Sequence, residues 1–377
     1  MARYFSNRIF DRVPCLLVAL TLFALVPVRA EEGGPWVVPT ELCRGYWFVP
    51  LALNEDKFGA GKVLYLIYDT GASSTLIDVD ALRRVTGQSF DDGDRVRLRD
   101  AKAGDITFRK LPARVDKLGH LSMAMGRSVD GILAVDAFKD FLLTLDAEQG
   151  RMSLTKGKLP RPDGKTVFSI RGPDKRPWLE VTVAEIEQRL LVDSGAAGSG
   201  ISINDIEDFP VQGEPRVLSS SVRLNRVEKH PMARLDGSVS IAGLTFVDPV
   251  IEEVPGIPLL GGEVLQHFEV TLDQRRRRLA LRLTGPSEIA PQPHFELGIS
   301  FQPTDRGLLV TDVYEDTPGD AAGMQSGDLV IGINGKRPEE RGCNRFGKDY
   351  EPASLTIERD GAVLEKTLEM QPIIPVN

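Results

Sequence analysis

The chain has 377 residues, of which 42% are hydrophobic and 27% charged, a composition typical of a globular protein with two or three domains. Residues 1–30 hold four of the 46 basic and one of the 54 acidic residues, so the remainder carries 42 and 53, a net charge of −11. This charge argues against nucleic acid or an anionic membrane as the partner.

The first thirty residues predict a secretory signal peptide. Arg3, Arg8 and Arg12 precede an apolar run at 15–26, and Val28-Arg29-Ala30 then forms a cleavage site. Twelve apolar residues are few for a membrane span, so we expect a mature chain that starts at Glu31 and keeps no stable span. The protein would be exported, to the periplasm or outside the cell. An uncleaved N-terminal anchor is the alternative.

The next part of the chain contains a first Asp-containing turn. Strands are predicted at 46–53 and 63–68, and the second ends at Asp69 before the small residues Thr70-Gly71-Ala72. Short apolar stretches around 96–98 and 106–108 predict a hairpin, which is a candidate flap. Apolar residues at 131–135 and 141–146 follow, and the Pro- and Gly-rich segment 159–165 is a predicted linker.

After this linker the same pattern returns. A strand at 178–183 and a run at 190–192 lead to Asp193, again followed by small residues, Ser194-Gly195-Ala196. A second candidate hairpin lies around 236–243. Five landmark residues of the first half have similar residues 127 positions later in the second half. The two aspartates are separated by 124 positions. The landmarks are Ile132, Leu133, Phe141, Leu145 and Asp146, which become Leu259, Leu260, Phe268, Leu272 and Asp273. A repeat of about 120 residues is too long for a solenoid, so we infer a duplicated domain with one Asp in each half.

The pattern changes beyond a second linker at 285–294. Strands are predicted near Leu297 and at 307–310, then a capped short helix at 317–323 and a strand that ends in the hairpin turn Asn334-Gly335. A final hairpin covers 354–368. The segment 336–353 carries Gly342, Asn344, Gly347 and Pro352, residues that disfavour a helix.

Cysteine and histidine usage gives little further chemistry. Cys43 and Cys343 remain after signal cleavage, and either a disulfide or two unpaired thiols agree with the sequence. The four His residues, at positions 120, 230, 267 and 294, show no ligand spacing. We therefore expect no metal and no cofactor.

Residues 46–283 resemble the retropepsin-like aspartic proteases in the fused, two-lobe form of pepsin-like enzymes. The resemblance rests on the two turns and on the later elements Ile132-Leu133-Ala134 and Leu259-Leu260-Gly261, which in this family thread behind the catalytic loops. Ala134 stands where glycine is usual. Regions 79–130 and 197–257 contain no Tyr or Trp, so a pepsin-type flap tyrosine is missing and the flap resembles the retroviral kind.

The resemblance implies a mainly β chain with duplicated acid-protease barrel lobes, at 31–158 and 166–284, forming a cleft. Asp69 and Asp193 would share a proton and activate a water against an extended polypeptide, without a covalent intermediate. Thr70 and Ser194 would brace the loops, and Gly71 and Gly195 would allow close approach. Ala72 and Ala196 offer the carboxylates no hydroxyl, so we expect a working pH nearer neutral than that of pepsin. Because both aspartates lie in one chain, a monomer is expected.

Residues 295–371 resemble a bacterial PDZ domain, so a small α+β domain is expected at 295–377. Leu297-Gly298-Ile299 matches the carboxylate-binding loop of such domains, and the segments at 317–323 and 326–335 match more specifically. The resemblance implies a peptide or protein ligand that recruits substrate, binds a partner or regulates the enzyme. A catalytically inactive protease fold that acts only by binding is the rival interpretation. A second rival, that both Asp turns are merely structural, is disfavoured by the duplicated flanks.

Overall fold

A computed structural model describes residues 34–172, 174–198, 200–222, 227–343 and 352–376. The predicted signal peptide and the mature N-terminus at Glu31 lie outside the described residues, as does the 344–351 part of the segment predicted to disfavour a helix. The described chain is mainly β, with barrel-like sheets and a separate C-terminal sheet. The predicted fold class is confirmed. None of the described helices is long and apolar enough to cross a membrane.

Lobe 1, residues 34–158, contains a whole nine-stranded sheet. Its elements are β1 (Trp36–Val38), β2 (Glu41–Cys43), β3 (Tyr46–Ala52), α1 (Glu55–Phe58), β4 (Val63–Asp69), β5 (Leu76–Asp78), α2 (Val79–Thr86), β6 (Arg95–Leu98), β7 (Ala101–Ala103), β8 (Ile106–Phe108), β9 (Leu111–Asp116), α3 (Gly119–Met125), β10 (Gly131–Ala134), β11 (Leu142–Asp146) and β12 (Arg151–Thr155). The sheet order is β6-β9-β5-β10-β4-β3-β7-β8, with β2 on β3. Strand β4 is buried along most of its length, as its near-continuous apolar sequence predicts.

A hairpin forms with its turn at the predicted place, but its strands are β7 and β8, because β6 pairs with β9 instead. The β7–β8 hairpin is not a free flap. Four of its side chains are buried in the lobe 1 core: Ala101, Ala103, Ile106 and Phe108. At its turn, a Cβ on Gly104 would lie 2.6 Å from Cδ of Pro39, so the tip is packed against the N-terminal segment. Its apolar alternation therefore marks a wall of the lobe, and the expectation of a flap at this place is wrong.

Lobe 2, residues 166–284, repeats the arrangement with one large addition. With the short strand that follows it, its elements are β13 (Val167–Ser169), β14 (Trp178–Val183), β15 (Ile186–Val192), β16 (Ile201–Ile203), the 3₁₀ helix Ile206–Asp208, β17 (Val211–Val222), β18 (Val227–Leu235), β19 (Ser238–Ile241), β20 (Leu244–Val247), β21 (Val250–Glu253), β22 (Leu259–Leu260), α4 (Gly262–Leu265), β23 (Phe268–Asp273), the 3₁₀ helix Gln274–Arg276, β24 (Arg278–Leu283) and β25 (Glu288–Ile289). Strand β22 lies between β15 and β16, as β10 lies between β4 and β5. The long β17–β18 hairpin, which precedes the predicted turns at 236–243, extends one edge of this sheet.

A six-stranded sheet joins the lobes in the order β1-β12-β11-β23-β24-β13. At its centre β11 pairs antiparallel with β23, and Thr144 stands directly opposite Thr271, with their hydroxyl oxygens 3.0 Å apart. These two residues are separated by 127 positions, which is the offset that relates the duplicated landmarks. A residue that pairs with its own duplicate lies on the pseudo-twofold axis, so the axis passes between these two threonines.

The C-terminal domain has its own sheet and core. Its elements are β26 (His294–Phe295), β27 (Ile299–Thr304), β28 (Gly307–Val313), α5 (Pro318–Ala321), β29 (Leu329–Ile333), the 3₁₀ helix Pro338–Glu340, β30 (Ala353–Arg359), β31 (Ala362–Leu368) and β32 (Pro372–Ile374). Strands β27 to β31 pair in sequence order, and β26 pairs with β32. Thr317 caps α5 by accepting a hydrogen bond from the amide of Asp320, as its position before Pro318 predicts.

A disulfide joins Cys43 of β2 to Cys343 of the C-terminal domain. The sequence was compatible with a disulfide or with two unpaired thiols, and the structure contains the disulfide. Glu41 lies beside this pair, and the three residues form a group whose potential ligand atoms are close together. Because the two sulfurs are bonded to each other, the group offers no thiolate to a metal ion.

Candidate active site

The two Asp turns hold their carboxylates in the same way. Asp69 ends β4, and its Oδ1 accepts hydrogen bonds from the amides of Gly71 (2.7 Å) and Ala72 (3.0 Å). Asp193 follows β15 directly, and its Oδ1 accepts one from the amide of Gly195 at 2.8 Å. In each turn the strand brings the aspartate to a fixed place, and the turn's own backbone fixes the direction of the carboxylate.

The two turns meet face to face, because each aspartate packs against the glycine of the other turn. A Cβ on Gly71 would lie 2.5 Å from Cγ of Asp193, and a Cβ on Gly195 would lie 2.5 Å from Oδ2 of Asp69. Any other residue at either position would push the two turns apart. The carboxyl groups of Asp69 and Asp193 therefore face each other across the junction of the two turns.

Thr70 and Ser194 cross-link the turns beneath the carboxylates. The amide of Thr70 donates to Ser194 Oγ (3.1 Å), and the amide of Ser194 donates to Thr70 Oγ1 (2.9 Å). Each hydroxyl donates onward to a carbonyl of the other lobe, Thr70 to Val192 (2.6 Å) and Ser194 to Tyr68 (3.1 Å). Both side chains are buried, so this reciprocal network ties the lobes together in a place where water does not compete.

The surroundings raise the pKa of Asp69 well above its usual value. Burial is the main cause, and the negative charge of Asp193 and the hydrogen bond between the two carboxyl groups act in the same direction. The amides of Gly71 and Ala72 oppose the shift because they favour the charged form. Two facing carboxyl groups in this environment hold one proton between them over a range of pH.

The segments 132–134 and 259–261 lie behind the two turns. Strand β10 runs parallel to β4, so that Ala134 pairs with Asp69 and Leu133 with Tyr68, while Ile132 lies opposite Ile67. In lobe 2, Leu259 and Leu260 pair with Leu191 and Val192, and the amide of Asp193 donates to Leu260 O at 3.0 Å. Gly261 donates to Gly200 O, and Ala196 O accepts from Gly262. Ala134 is fully buried at the position of the expected glycine.

Arg176 is a site residue that sequence reasoning missed. Its guanidinium donates from Nη1 to Gly71 O at 3.4 Å across the lobe boundary, and its Nε is 2.7 Å from Oδ2 of Asp174. The neighbouring Lys175 also crosses between the lobes, to Asp136 at 3.1 Å. The available clue was position: Arg176 lies two residues before β14, which pairs with β15, as Arg44 lies two residues before β3, which pairs with β4.

A cavity of about 870 Å³ lies on the far side of the lobe 2 turn rather than at the dyad. Ser194, Ala197 and Gly198 line it from the turn, and Leu297 lines it from the C-terminal domain, but neither aspartate does. The cavity is therefore separate from the facing carboxyl groups.

The predicted carboxylate-binding loop sits at the start of the C-terminal sheet. Gly298 has a φ of +67°, and a Cβ there would collide with the side chain of Thr317, so glycine is required. Leu297 and Ile299 are buried in the core of that domain. The loop thus joins the cavity wall to strand β27.

Comparison with known proteins identifies the C-terminal domain. The family model for the PDZ domain matches residues 296–370, so the predicted C-terminal PDZ domain is confirmed.

Two curated proteins are similar to longer stretches of the chain. It is 23% identical over 303 residues to "Putative protease Do-like 14" of Arabidopsis thaliana, covering 78% of this chain and 63% of that protein. It is 24% identical over 262 residues to "Tyrocidine synthase 3" of Brevibacillus parabrevis, covering 62% of this chain. The chain spans 63% and 4% of the lengths of these relatives. Among solved structures, a retropepsin-like aspartic protease from Rickettsia conorii matches with 13% identity and a TM-score of 0.24, over 33% of this chain and 93% of that one.

Proposed function

We propose that the protein is an aspartic endopeptidase that hydrolyses polypeptides with a water held between Asp69 and Asp193. The observation that carries the proposal is the mutual packing of each aspartate on the other turn's glycine, which brings the two carboxyl groups face to face. Two carboxyl groups that share a proton provide a base and an acid at one point, which is what hydrolysis of an unactivated amide needs.

The reaction would proceed in two stages, each with two proton transfers. The ionised carboxylate takes a proton from the water as its oxygen attacks the scissile carbonyl carbon, and the protonated carboxyl gives its proton to the carbonyl oxygen. The resulting tetrahedral intermediate then returns a proton through the dyad to the amide nitrogen as the C–N bond breaks. The raised pKa of Asp69 supports this scheme, because it keeps one proton in the dyad at pH values where isolated carboxyl groups are ionised.

The reciprocal bonds between Thr70 and Ser194 would keep the carboxylates in register during these transfers. Catalysis by positioned groups is sensitive to displacements of about 1 Å. A buried network that spans both lobes limits such displacements more than bonds within one lobe could. Arg176 adds a further contact between the lobes at the carbonyl of Gly71.

We also propose that the protein is exported and acts as a monomer on extended polypeptide segments in the cleft. The disulfide between Cys43 and Cys343 supports an oxidising compartment, since such bonds rarely persist in a reducing cytoplasm. The presence of both aspartates in one chain supports the monomer. No metal or cofactor is required by the proposed chemistry.

An inactive binding protein is the second candidate. It is favoured by one observation, the packing of the lobe 1 hairpin into the core, which leaves that lobe without a free flap. The two candidates differ in whether the dyad hydrolyses anything.

The test compares wild type with Asp69→Asn on a library of denatured proteins, with cleavage products sequenced by mass spectrometry. Asp105→Asn is a matched control, because Asp105 is exposed at the tip of the packed hairpin. We expect cleavage by wild type and by the control, and a loss of at least about a thousandfold in Asp69→Asn, the scale typical for a catalytic group that acts as one of a unit. Equal cleavage by Asp69→Asn would contradict the proposal, and no cleavage by folded wild type would favour the binding protein.

A further inference from the structure

The edge of the PDZ sheet that could accept a peptide is strand β27. It is the outermost strand of its sheet and begins at Ile299, the last residue of the loop Leu297-Gly298-Ile299. PDZ domains capture extended peptides by adding them as a strand to such an edge, beside a wall that receives side chains. In this chain, segments of both lobes lie against β27.

Helix α3 of lobe 1 lies against this region of the PDZ domain. It packs on β27, on β28 and on the 3₁₀ helix Pro338–Glu340. Met123, in the middle of α3, is partly buried against the apolar core of the PDZ domain, a core that includes Leu297 and Ile299. A helix of one domain thus completes the apolar core of the other.

The C-terminal end of α3 is bound by the PDZ segment that follows the 3₁₀ helix. Arg341, whose residue is only 5% exposed, donates to the carbonyl of Ala124, and the amide of Gly342 donates to Gly126 O at 2.7 Å. A Cβ on Gly126 would collide with the Arg341 side chain, so Arg341 is packed closely against the end of α3. The next residue, Cys343, is bonded to Cys43 of lobe 1. Backbone carbonyls at a helix C-terminus favour a cationic partner, which Arg341 supplies.

The long hairpin of lobe 2 approaches the same strand from another direction. Cα atoms of β17 come within 8 Å of those of β27. Arg216 of β17 donates to Glu315 O at 2.8 Å, and Lys229 of β18 pairs with Asp312 of β28 at 2.7 Å. At the base of the hairpin, the nearly buried Arg234 donates to the carbonyls of Ile374 and Pro375 at the C-terminal end of the described chain.

We propose that the peptide-binding edge of this PDZ domain is an internal docking surface, occupied by α3 of lobe 1 and β17 of lobe 2 from the same chain. The PDZ domain then acts as a clamp across both lobes while it is docked. A free peptide with a terminal carboxylate has to displace these segments before it can add to β27. This proposal concerns the PDZ surface alone and does not depend on hydrolysis by the dyad.

The test uses the full exported chain with its disulfide intact and two variants that weaken the docking. Met123→Asp places a carboxylate in the apolar contact, and Cys343→Ser removes the covalent tether without entering the PDZ core. Val363→Asp is the control, because Val363 is 63% exposed on β31, at the opposite edge of the PDZ sheet. Two quantities are measured in each protein. One is amide hydrogen exchange in β27. The other is the binding of a labelled peptide with the sequence of residues 211–218, which ends on a free leucine carboxylate.

In wild type and in the control, we expect protected β27 amides and negligible peptide binding. In Met123→Asp, amide exchange in β27 should rise at least about tenfold, because the free energy of local opening is lower. The peptide should also bind to this variant. Cys343→Ser should change both quantities in the same direction by a smaller amount. Equal peptide binding by wild type and Met123→Asp would overturn the proposal, as would unchanged β27 exchange in both docking variants.

Discussion

The reciprocal bonds between Thr70 and Ser194 allow a quantitative prediction. In Ser194→Ala the buried amide of Thr70 loses its acceptor, and in Thr70→Val the buried amide of Ser194 loses its acceptor. A buried donor left without a partner costs about 1–3 kcal/mol, so each change should lower the free energy of unfolding by that amount. The donor bonds to Val192 O and Tyr68 O are lost as well, and the two losses should be similar because the network is symmetric.

Tryptophan fluorescence during urea denaturation measures this effect in the right part of the chain. All three tryptophans, Trp36, Trp47 and Trp178, lie in the two lobes and none in the PDZ domain. Thr70→Ser keeps the hydroxyl and should recover most of the stability lost in Thr70→Val. Ser74→Ala, at an exposed position of the same turn, should change the stability by no more than about 0.5 kcal/mol. If either Thr70→Val or Ser194→Ala lowers the free energy of unfolding by less than about 0.5 kcal/mol, the network is not a source of stability.

Three further predictions concern the dyad and the disulfide. In Ala72→Ser the new hydroxyl should donate to Asp69, lower the pKa of the pair and move the acidic limb of the kcat/KM profile to lower pH; an unchanged or higher limb would contradict this. Because the pKa of Asp69 is raised in the folded state, its contribution to stability is present at low pH and lost as pH rises through that folded pKa. Asp69→Asn should therefore gain stability relative to wild type on going from acidic to neutral pH, and a pH-independent difference in thermal midpoint would refute the raised pKa. Reduction of Cys43–Cys343 should lower the free energy of unfolding by about 2–4 kcal/mol, and identical urea curves for oxidised and reduced protein would contradict that.

The duplicated architecture was predictable because its markers are local. A β-branched or aromatic run, an Asp at its end and a Gly two residues later define a strand and a tight turn without help from distant parts of the chain. The offset of 127 between landmarks also has a direct structural counterpart, since it brings Thr144 opposite Thr271 in the sheet that joins the lobes. The PDZ domain was predictable for the same reason, through its capped helix and the turn after Ile333.

The differences between the lobes were not predictable, because they depend on tertiary packing. The alternation at 96–108 is equally compatible with a free flap and with a buried wall, and only the contact of its turn with Pro39 distinguishes them. The cross-lobe bond of Arg176 and the docking of α3 on the PDZ domain join residues far apart in sequence. Helix α3 also lacks a side-chain cap at its N-terminus, so no local pattern marks it.

The central claim is that Asp69 and Asp193 act as one unit, and the most direct measurement is the turnover of Asp193→Asn with Asp69 intact. The substrate would be a peptide found to be cleaved by wild type, and kcat would be measured across the full pH range on protein whose thermal midpoint shows that it is folded. The account predicts that kcat falls to background at every pH, because Asp69 alone cannot serve as both base and acid. Turnover retained by Asp193→Asn, even with a shifted pH optimum, would contradict the shared dyad.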